Sequence, residues 1–414
     1  MKNSRSILLN KDESNIPLTI KGQGVFVFEN TDNNQACYFK IFNQDKTDGL
    51  IVLFTPECVK VNRIGILMPC IDDNNVQGLI DITGAYYWFS LDSQNQTLYA
   101  GIGEARMETV IYKYKFVFTP ERDDERVINK KFLESLESIY VPPELKMIPL
   151  KLIRDPITAN IPLGVKRTDQ ITIDHIAQGL FLPKPNLSII GQKLHDCIAG
   201  NAFVLDDADF PEFSQAIEYS IKNENGWCYK RLLEKSTEFN KEQPNPLETY
   251  LRITLGQNNG ESPGIPYVLE IWPPGHYSPI HSHAGANAII RVLHGSINVK
   301  LFPFLSGEEV PHFAESDFDK DDITWISPTL NQIHQLKNLE ENTETCMTLQ
   351  CYMYDEQSNT HYDYFDYADV SGNIQQYEPD SDMDFVDFKQ LMKEEWANRP
   401  SKRNKWSFLY SFLI

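Results

Sequence analysis

The first 125 residues consist of short apolar runs separated by polar turns. The runs are rich in β-branched and aromatic residues, and several alternate apolar with polar side chains, which is typical of β-strands. They are GVFVFEN, CYFKIFN, LIVLFTP, ILMPCI, AYYWFSL, TLYAGIG and VIYKYKFVF. The intervening DNN, QDKTDG, DDNN and DSQN segments favour turns. Strands at this spacing predict an antiparallel β-sandwich or jelly roll over residues 1–125.

The pattern changes twice further along the chain. Residues 126–185 are first charged and then punctuated by proline, which predicts a connector. Over 186–240 apolar residues recur at helical spacing, as in LSIIGQKLHDCIAG and PEFSQAIEYSIKN. Strand-like runs return over 241–356, among them YLRITLG, YVLEIW and NAIIRVLHG, and predict a β-barrel packed against these helices. With residues 371–414 as a C-terminal extension, the chain is expected to be mainly β and multidomain.

Composition narrows the class of protein. At 414 residues the chain exceeds the usual size of a single core. A formal charge of −20 argues against nucleic acid and anionic membrane surfaces as partners. The start, MKNSRSILLNKDESN, has too short an apolar core for a signal peptide, and no apolar run reaches the length of a membrane span. The seven cysteines are scattered without a CxxC pair, which suits reduced thiols. We therefore expect a cytoplasmic protein.

Histidines are concentrated in one part of the predicted barrel. Six of the nine lie between His276 and His334, and two of these, His281 and His283, are one residue apart. On a strand, side chains at i and i+2 emerge on the same face, about 6.5–7 Å apart along the strand. Two imidazoles at this spacing can converge on one metal ion. His334 is the best candidate for a third ligand.

The two histidine-bearing segments resemble the two sequence motifs of the cupin barrel. The first motif is matched at four positions and the second, more loosely, at three: Gly275, His281, His283 and Gly295, then Pro328, His334 and Asn338. The glutamate of the first motif is missing, because Asn287 and Ala288 occupy its candidate positions. The resemblance implies a cupin domain over residues 186–370, with three neutral imidazoles and no anionic ligand on the metal.

Residues 187 to 355 more specifically resemble cysteine dioxygenase, a thiol dioxygenase built on a cupin barrel. The resemblance rests on the segments IIGQKLHDCIAG, YLRITL, IWPPGHYSPIHSH, VLHGSINVKLF and TLQCYMY. It implies a non-haem Fe(II) centre held by His281, His283 and His334. It also implies an enzyme that oxidises L-cysteine with O2 to cysteine sulfinate. A small thiol and dioxygen are then the expected partners.

The resemblance also assigns roles to four residues around the metal. Arg252 matches the arginine that holds the substrate carboxylate by two parallel hydrogen bonds, and Tyr250 shares its strand face. Related mercaptopropionate dioxygenases carry glutamine at the arginine position, so arginine favours L-cysteine. Tyr352 matches the active-site tyrosine, with Tyr354, on the same strand face, as the alternative. Gln350 replaces a histidine of the family; its amide can hydrogen-bond the tyrosine hydroxyl but cannot carry a proton.

Departures from the family pattern keep other hypotheses open. Animal enzymes of this family cross-link the tyrosine to a cysteine, but Ala288 occupies that position, so no thioether can form. One alternative is a dioxygenase of another small thiol, such as 3-mercaptopropionate or cysteamine. Another is a non-catalytic cupin that senses a metal or ligand.

The N-terminal run YYWFSLDSQNQTLYAGIG weakly resembles farnesoic-acid-methyltransferase-type sandwich modules, and we carry no residue role over from it. The sequence leaves open whether residues 1–150 bind an unknown ligand or protein, or cover the mouth of the barrel.

Overall fold

The structure is a computed structural model of the chain. It describes residues 6–9, 14–30, 35–64, 77–82, 84–116, 123–143, 147–255, 267–354 and 365–400. The predicted strand ILMPCI and the last 14 residues lie outside this part of the chain. Within it, the strands form two sheets in the N-terminal half and two in the C-terminal half, which confirms the mainly β, multidomain prediction.

The N-terminal half is a sandwich of two antiparallel sheets. Its strands are β1 (Ser6–Leu8), β2 (Asn15–Pro17), β3 (Gln23–Asn30), β4 (Cys37–Asn43), β5 (Gly49–Phe54), β6 (Val59–Arg63), β7 (Tyr86–Asp92), β8 (Thr97–Ile102), β9 (Val110–Lys115), β10 (Leu136–Tyr140) and β11 (Met147–Ile153). One sheet has the order β1-β11-β3-β7-β8-β9 and the other β2-β10-β4-β5-β6. Helix α1 (Asp123–Ser135) connects β9 to β10.

Aromatic side chains join the two sheets of the sandwich. Phe26 and Phe28 on β3 point to one face because they are two residues apart, and Phe39 on β4 meets them from the other sheet. The ring centroid of Phe39 lies 4.6 Å from that of Phe28, 5.2 Å from that of Phe26 and 5.4 Å from that of Phe89. All four rings are buried. Aromatic pairs at these separations are attractive beyond the area they bury, so this cluster holds the sandwich together.

The C-terminal half contains a two-sheet barrel with helices packed outside it. Its strands are β12 (Gly164–Lys166), β13 (Phe181–Pro183), β14 (Leu251–Thr254), β15 (Tyr267–Trp272), β16 (Ile280–His281), β17 (Asn287–His294), β18 (Ser296–Leu301), β19 (Ala314–Asp319), β20 (Ile323–Ile326), β21 (His334–Lys337), β22 (Cys346–Met353), β23 (Phe365–Ala368), β24 (Ile374–Tyr377) and β25 (Met383–Asp384). The sheet orders are β13-β12-β20-β17-β22-β15-β14-β25 and β19-β18-β21-β16-β23-β24. The helices are α2 (Ile173–Ala177), α3 (Ile189–Ile198), α4 (Phe213–Lys222), α5 (Trp227–Glu234) and α6 (Phe385–Ala397). In the described part of the chain, no helix is both long and apolar enough to cross a membrane.

Strand alternation decides which residues face the inside of the barrel. On β22, Gln350 and Tyr352 point inward, whereas Cys351 between them points outward, where its thiol lies 3.5 Å from the carbonyl oxygen of Leu194 on α3. The outward face is apolar and packs on α3, as Leu349 does. The helix α3 begins at Ser188, whose hydroxyl accepts a hydrogen bond from the amide of Gly191. The helices therefore cover one face of the large sheet and leave the other to form a cavity.

Two segments differ from the boundaries expected from the sequence. Strands β10 and β11 fall within the predicted connector but complete the sandwich, since β10 pairs with β2 and β4 and β11 pairs with β1 and β3. Strands β24 and β25 fall within the predicted C-terminal extension but join the barrel sheets. Prolines obscure the strand pattern of β11. Its register with β3 shifts between Pro149 and Lys151, and such an irregularity is where a sheet tolerates proline.

A loop of the sandwich contacts the barrel. The amide of Glu104 donates a hydrogen bond to the carbonyl of Pro303 (2.8 Å), and Arg106 donates to the side-chain oxygen of Asn331 (2.9 Å). Gly103 adopts a φ of 85°, and a side chain at this position would clash with Pro303. This close approach brings the carboxylate of Glu104 into hydrogen-bonding contact with the backbone amide of Gln332 in the barrel.

The aromatic core of the sandwich makes a stability prediction. Replacing Phe39 with alanine should lower the free energy of unfolding of the sandwich by about 3–5 kcal/mol, because a buried aromatic ring is removed from a packed core. Phe42, on the same strand but only half-buried, is the matched control; its replacement by alanine should cost about 1 kcal/mol or less. Urea unfolding followed by tryptophan fluorescence measures both, and equal losses would contradict the packing described.

Candidate metal centre

Three imidazoles converge at one end of the small barrel sheet. His281 on β16 and His334 on β21 are direct cross-strand partners, and His283 follows His281 by two residues. The ring centroids of His281 and His334 lie 4.7 Å apart, those of His281 and His283 4.8 Å, and those of His283 and His334 4.4 Å. One nitrogen of each ring lies within 4.8 Å of the others. This is the grouping that the histidine spacing predicted.

Backbone carbonyls fix the orientation of two of the rings. Nδ1 of His281 lies 3.0 Å from the carbonyl oxygen of Pro279, and Nδ1 of His283 lies 2.9 Å from that of Gln332. A carbonyl oxygen only accepts, so each Nδ1 carries the proton and donates it. The lone pair is then on Nε2, the tautomer that binds a metal while its other nitrogen is held by a backbone group.

Burial keeps the three imidazoles neutral. It lowers the pKa of His281 to about 4 and, together with the neighbouring His281, the pKa of His283 to about 3. The pKa of His334 also lies well below its ordinary value because of burial and the two nearby rings. Neutral imidazole is the form that ligates metal ions. Three neutral nitrogen donors, two of them with tautomers fixed by backbone carbonyls, therefore fit a divalent first-row ion.

The positions where the cupin motif places a glutamate supply no carboxylate. The side chain of Asn287 is engaged away from the histidines, accepting a hydrogen bond from Ser188 (3.3 Å) and donating to the carbonyl of Met353 (3.4 Å). Ala288 packs in a small apolar cluster with Tyr352, its direct partner across β17 and β22. Within the described residues, the metal-ligating group consists of His281, His283 and His334. A bound divalent ion would keep its full charge.

A cavity beside the imidazoles brings together the other residues singled out in the sequence. His281 and His334 line this cavity, and so do Arg252, Tyr250, Gln350 and Tyr352. Tyr354, the alternative to Tyr352, is not among the described lining residues. The space in this cavity that the centre of a water molecule can occupy is about 20 Å³, which is room for about one water molecule.

One residue that the sequence analysis missed changes the character of this cavity. Glu270 on β15 is the direct partner of Arg252 on β14, and the guanidinium donates to its carboxylate at 2.7 Å. The other carboxylate oxygen accepts a hydrogen bond from the amide nitrogen of Gln350, and the amide oxygen accepts one from the hydroxyl of Tyr352. Glu270 is the one charged residue in the run YVLEIW, which is the signal that could have identified it.

This chain of hydrogen bonds has a fixed direction. A carboxylate only accepts, so the Gln350 amide must turn its nitrogen to Glu270 and its oxygen to Tyr352. Burial raises the pKa of Glu270, and the adjacent guanidinium opposes that rise. Burial and the charge of Glu270 raise the pKa of Tyr352, which keeps the phenol protonated. The hydroxyl proton of Tyr352 is committed to Gln350, and its oxygen also interacts with the guanidinium of Arg252.

Aromatic residues from the C-terminal strands close the cavity on another side. Phe365 packs against the histidines, with its ring centroid 5.2 Å from that of His283 and 6.4 Å from that of His281. Tyr367 is the cross-strand partner of His281, and Tyr377 also lines the cavity. The sequence analysis assigned no role to these residues, although the alternation in YFDYADV is a strand signal.

Gln332 clamps the loop that carries His283, and it is held in turn by the sandwich. Its backbone carbonyl accepts the His283 proton, its side-chain oxygen accepts from the amide of Gly285 (2.9 Å), and its side-chain nitrogen donates to the carbonyl of Ala286 (3.0 Å). The backbone amide of Gln332 donates to the buried carboxylate of Glu104 at 2.7 Å. A sandwich residue therefore supports the backbone group that orients a metal ligand.

The remaining histidines of the cluster lie outside the metal-ligating group. His276 is hydrogen-bonded to Thr249. His294 lies 3.8 Å from Glu344 and His312 lies 3.2 Å from Glu315, both at the surface.

No protein-family model matches the chain. Among solved structures, the cupin domain of Schizosaccharomyces pombe Cnp3 is similar at 15% identity over 26% of this chain and 65% of that chain, with a TM-score of 0.21. The DMSP lyase DddQ from Ruegeria pomeroyi DSS-3 is similar at 17% identity over 26% of this chain and 49% of that one, with a TM-score of 0.20. The L-ribose isomerase of Cellulomonas parahominis is similar at 12% identity over 30% of this chain and 66% of that one, with a TM-score of 0.23. The structural neighbours thus include cupin-domain proteins and enzymes, and each of these three covers less than a third of this chain.

The ligand set makes a prediction about metal content. Replacing His334 with alanine should abolish stoichiometric binding of Fe(II), because two imidazoles alone hold such an ion weakly. The same replacement at His294 should leave metal content unchanged, since that ring lies outside the group. Elemental analysis after anaerobic iron loading and desalting measures both, and full iron occupancy in the His334→Ala protein would refute the assignment.

The Gln332 clamp makes a second prediction. Replacing Glu104 with alanine should weaken metal binding by about tenfold, the lower end of the effect of losing a group that orients a ligand. Glutamine at position 104 should restore most of the affinity, since its amide oxygen can accept the same hydrogen bond. Glu108, which also contacts Arg106 (3.0 Å) but not Gln332, is the matched control. Competition with a chromophoric chelator reports affinity, and equal losses in the two alanine variants would show that the effect is not specific to the clamp.

Proposed function

We propose that this protein is a non-haem Fe(II)-dependent thiol dioxygenase. The observation that supports the proposal is the cavity lined by His281, His334, Tyr352 and Arg252, with His283 completing the group of three imidazoles. The reaction is R–SH + O2 → R–SO2H, in which both oxygen atoms are added to sulfur and sulfur is oxidised to the sulfinate. Iron, when bound, supplies the activation of dioxygen and a binding position for sulfur.

The donor set favours a thiolate substrate. A thiol that enters this site meets a divalent charge that no ligating carboxylate offsets, which favours its deprotonated form near neutral pH. Two of the three rings are held by backbone carbonyls, so the ligands are oriented before substrate binds. The aromatic rings of Phe365 and Tyr352, with centroids 6.3 Å apart, lie beside the candidate ligands.

Tyr352 acts as a protonated phenol that positions the substrate. Its hydroxyl proton is held by Gln350, and its raised pKa keeps it neutral. Its oxygen is therefore a hydrogen-bond acceptor toward the bound molecule. Gln350 cannot relay a proton as the histidine of the family can, so we assign it the role of orienting Tyr352 and no proton transfer.

The partners of this activity are a small thiol and dioxygen. We expect the protein to act in the cytoplasm and to bind neither nucleic acid nor a membrane. L-Cysteine is the substrate that the resemblance favours through Arg252. Thiols without a carboxylate, such as cysteamine, are the alternative substrates. The pairing of Arg252 with Glu270 affects which of these two classes of thiol the cavity prefers.

Oxygen consumption tests the proposal. The Fe(II)-loaded full-length protein should consume O2 when given L-cysteine, cysteamine or 3-mercaptopropionate, and at least one of these should yield a sulfinate, detected by mass spectrometry, in a ratio of one per O2. The zinc-loaded protein is the control, because zinc occupies nitrogen sites without redox chemistry. Full iron occupancy without thiol-dependent oxygen uptake would reject the enzyme and favour the metal-sensing alternative.

A further inference from the structure

The cavity contains a buried ion pair that belongs to the protein itself. Arg252 and Glu270 are the charged residues among the described residues that line it, and both are buried, with 7% and 4% of their surface exposed. They are direct partners across β14 and β15, with the guanidinium 2.7 Å from the carboxylate. The charges of these two lining side chains therefore cancel.

A second buried side chain also holds the carboxylate of Glu270 in place. The second oxygen of Glu270 accepts from Gln350, and Gln350 also donates to the hydroxyl of Thr348 at 3.2 Å. A residue fixed by this many buried hydrogen bonds does not move aside without leaving polar groups unpaired, which is costly in a buried site. Glu270 therefore remains paired with the guanidinium of Arg252.

A substrate carboxylate meets two obstacles in such a cavity. It has to share the guanidinium of Arg252 with Glu270, which already accepts a hydrogen bond from Nη1, and it places a second negative charge beside the first, in surroundings that screen charge poorly. Both effects oppose the binding of L-cysteine and 3-mercaptopropionate. A free arginine would instead attract them.

A cationic or uncharged group meets neither obstacle. An ammonium group finds an acceptor in the carboxylate of Glu270 and a second one in the oxygen of Tyr352, whose proton is committed to Gln350.

We propose that Glu270 determines the specificity of this site: by neutralising Arg252, it selects a small thiol that carries an ammonium or no charge, such as 2-aminoethanethiol, over a thiol that carries a carboxylate. This inference rests on the proposed thiol dioxygenase activity. It reverses the substrate preference that Arg252 alone would indicate.

Two measurements on the full-length protein test the inference. In the first, kcat/KM is compared for 2-aminoethanethiol, L-cysteine and 3-mercaptopropionate with the Fe(II)-loaded protein. In the second, the same thiols are titrated anaerobically into the cobalt(II)-loaded protein, where a sulfur-to-metal charge-transfer band reports thiolate binding without turnover. The wild-type protein should prefer 2-aminoethanethiol by at least about tenfold, the size expected for one hydrogen bond between charged groups.

The variant Glu270→Gln frees the charge of Arg252 while keeping a hydrogen-bonding side chain at position 270. The preference should shift toward the carboxylate thiols by about tenfold or more. The double variant Glu270→Gln/Arg252→Gln should lose that gain, because the gain comes from the freed guanidinium. Glu340→Gln, which breaks an exposed contact with Lys337, is the matched control and should leave the preference unchanged.

The outcomes separate the two proposals. No thiol-dependent oxygen uptake and no charge-transfer band with any thiol would overturn the proposed function. Uptake with L-cysteine favoured in the wild type, or a preference that Glu270→Gln does not move, would overturn the role of Glu270 and leave the function standing. If Glu270→Gln does not fold, the wild-type measurements still decide: a wild-type protein that prefers L-cysteine or 3-mercaptopropionate over 2-aminoethanethiol contradicts the inference.

Discussion

The pairing of two short strands fixes the geometry on which the candidate site depends. β16 contains two residues, and its register with β21 places His281 directly opposite His334. Because side chains alternate along a strand, a slip of one residue would turn these imidazoles to opposite faces. β23 holds the other edge of β16, with Tyr367 opposite His281. The C-terminal strands are therefore part of the construction of the metal centre.

The sandwich takes part in the same construction through one hydrogen bond. Glu104 accepts from the amide of Gln332, and the carbonyl of Gln332 accepts from His283. A buried carboxylate is costly unless it is paired, and Arg106, which lies 3.5 Å from it and also binds Asn331, provides the compensating charge. The barrel's second histidine segment and the sandwich loop therefore stabilise one another. An N-terminal half linked only by a flexible connector would leave the amide of Gln332 without this carboxylate.

Local sequence patterns identified the candidate metal ligands, but they did not reveal the contacts that modify the cavity. The His281-x-His283 spacing predicted that the two rings converge, although His283 lies in the loop that follows β16. Arg252 was placed in the cavity by its match to a strand motif, and the structure puts it there. Its partner Glu270 depends on the register between β14 and β15, which follows from the whole sheet and not from either segment alone. Glu104 is more than 200 residues from Gln332 in sequence, so no local pattern could reveal their contact.

The electrostatics of the cavity follow from two neutral sets of groups. The three imidazoles are uncharged because burial lowers their pKa values, and the charges of Arg252 and Glu270 cancel. A bound metal ion would then be the main source of net charge in the cavity, so it would govern the charge state of a ligand that reaches it. A thiolate would offset part of the charge of the metal ion. A second anionic group on the same ligand would require a free cation, and Arg252 is already paired. If the site binds a thiolate, as we propose, the same constraint limits which thiols fit it.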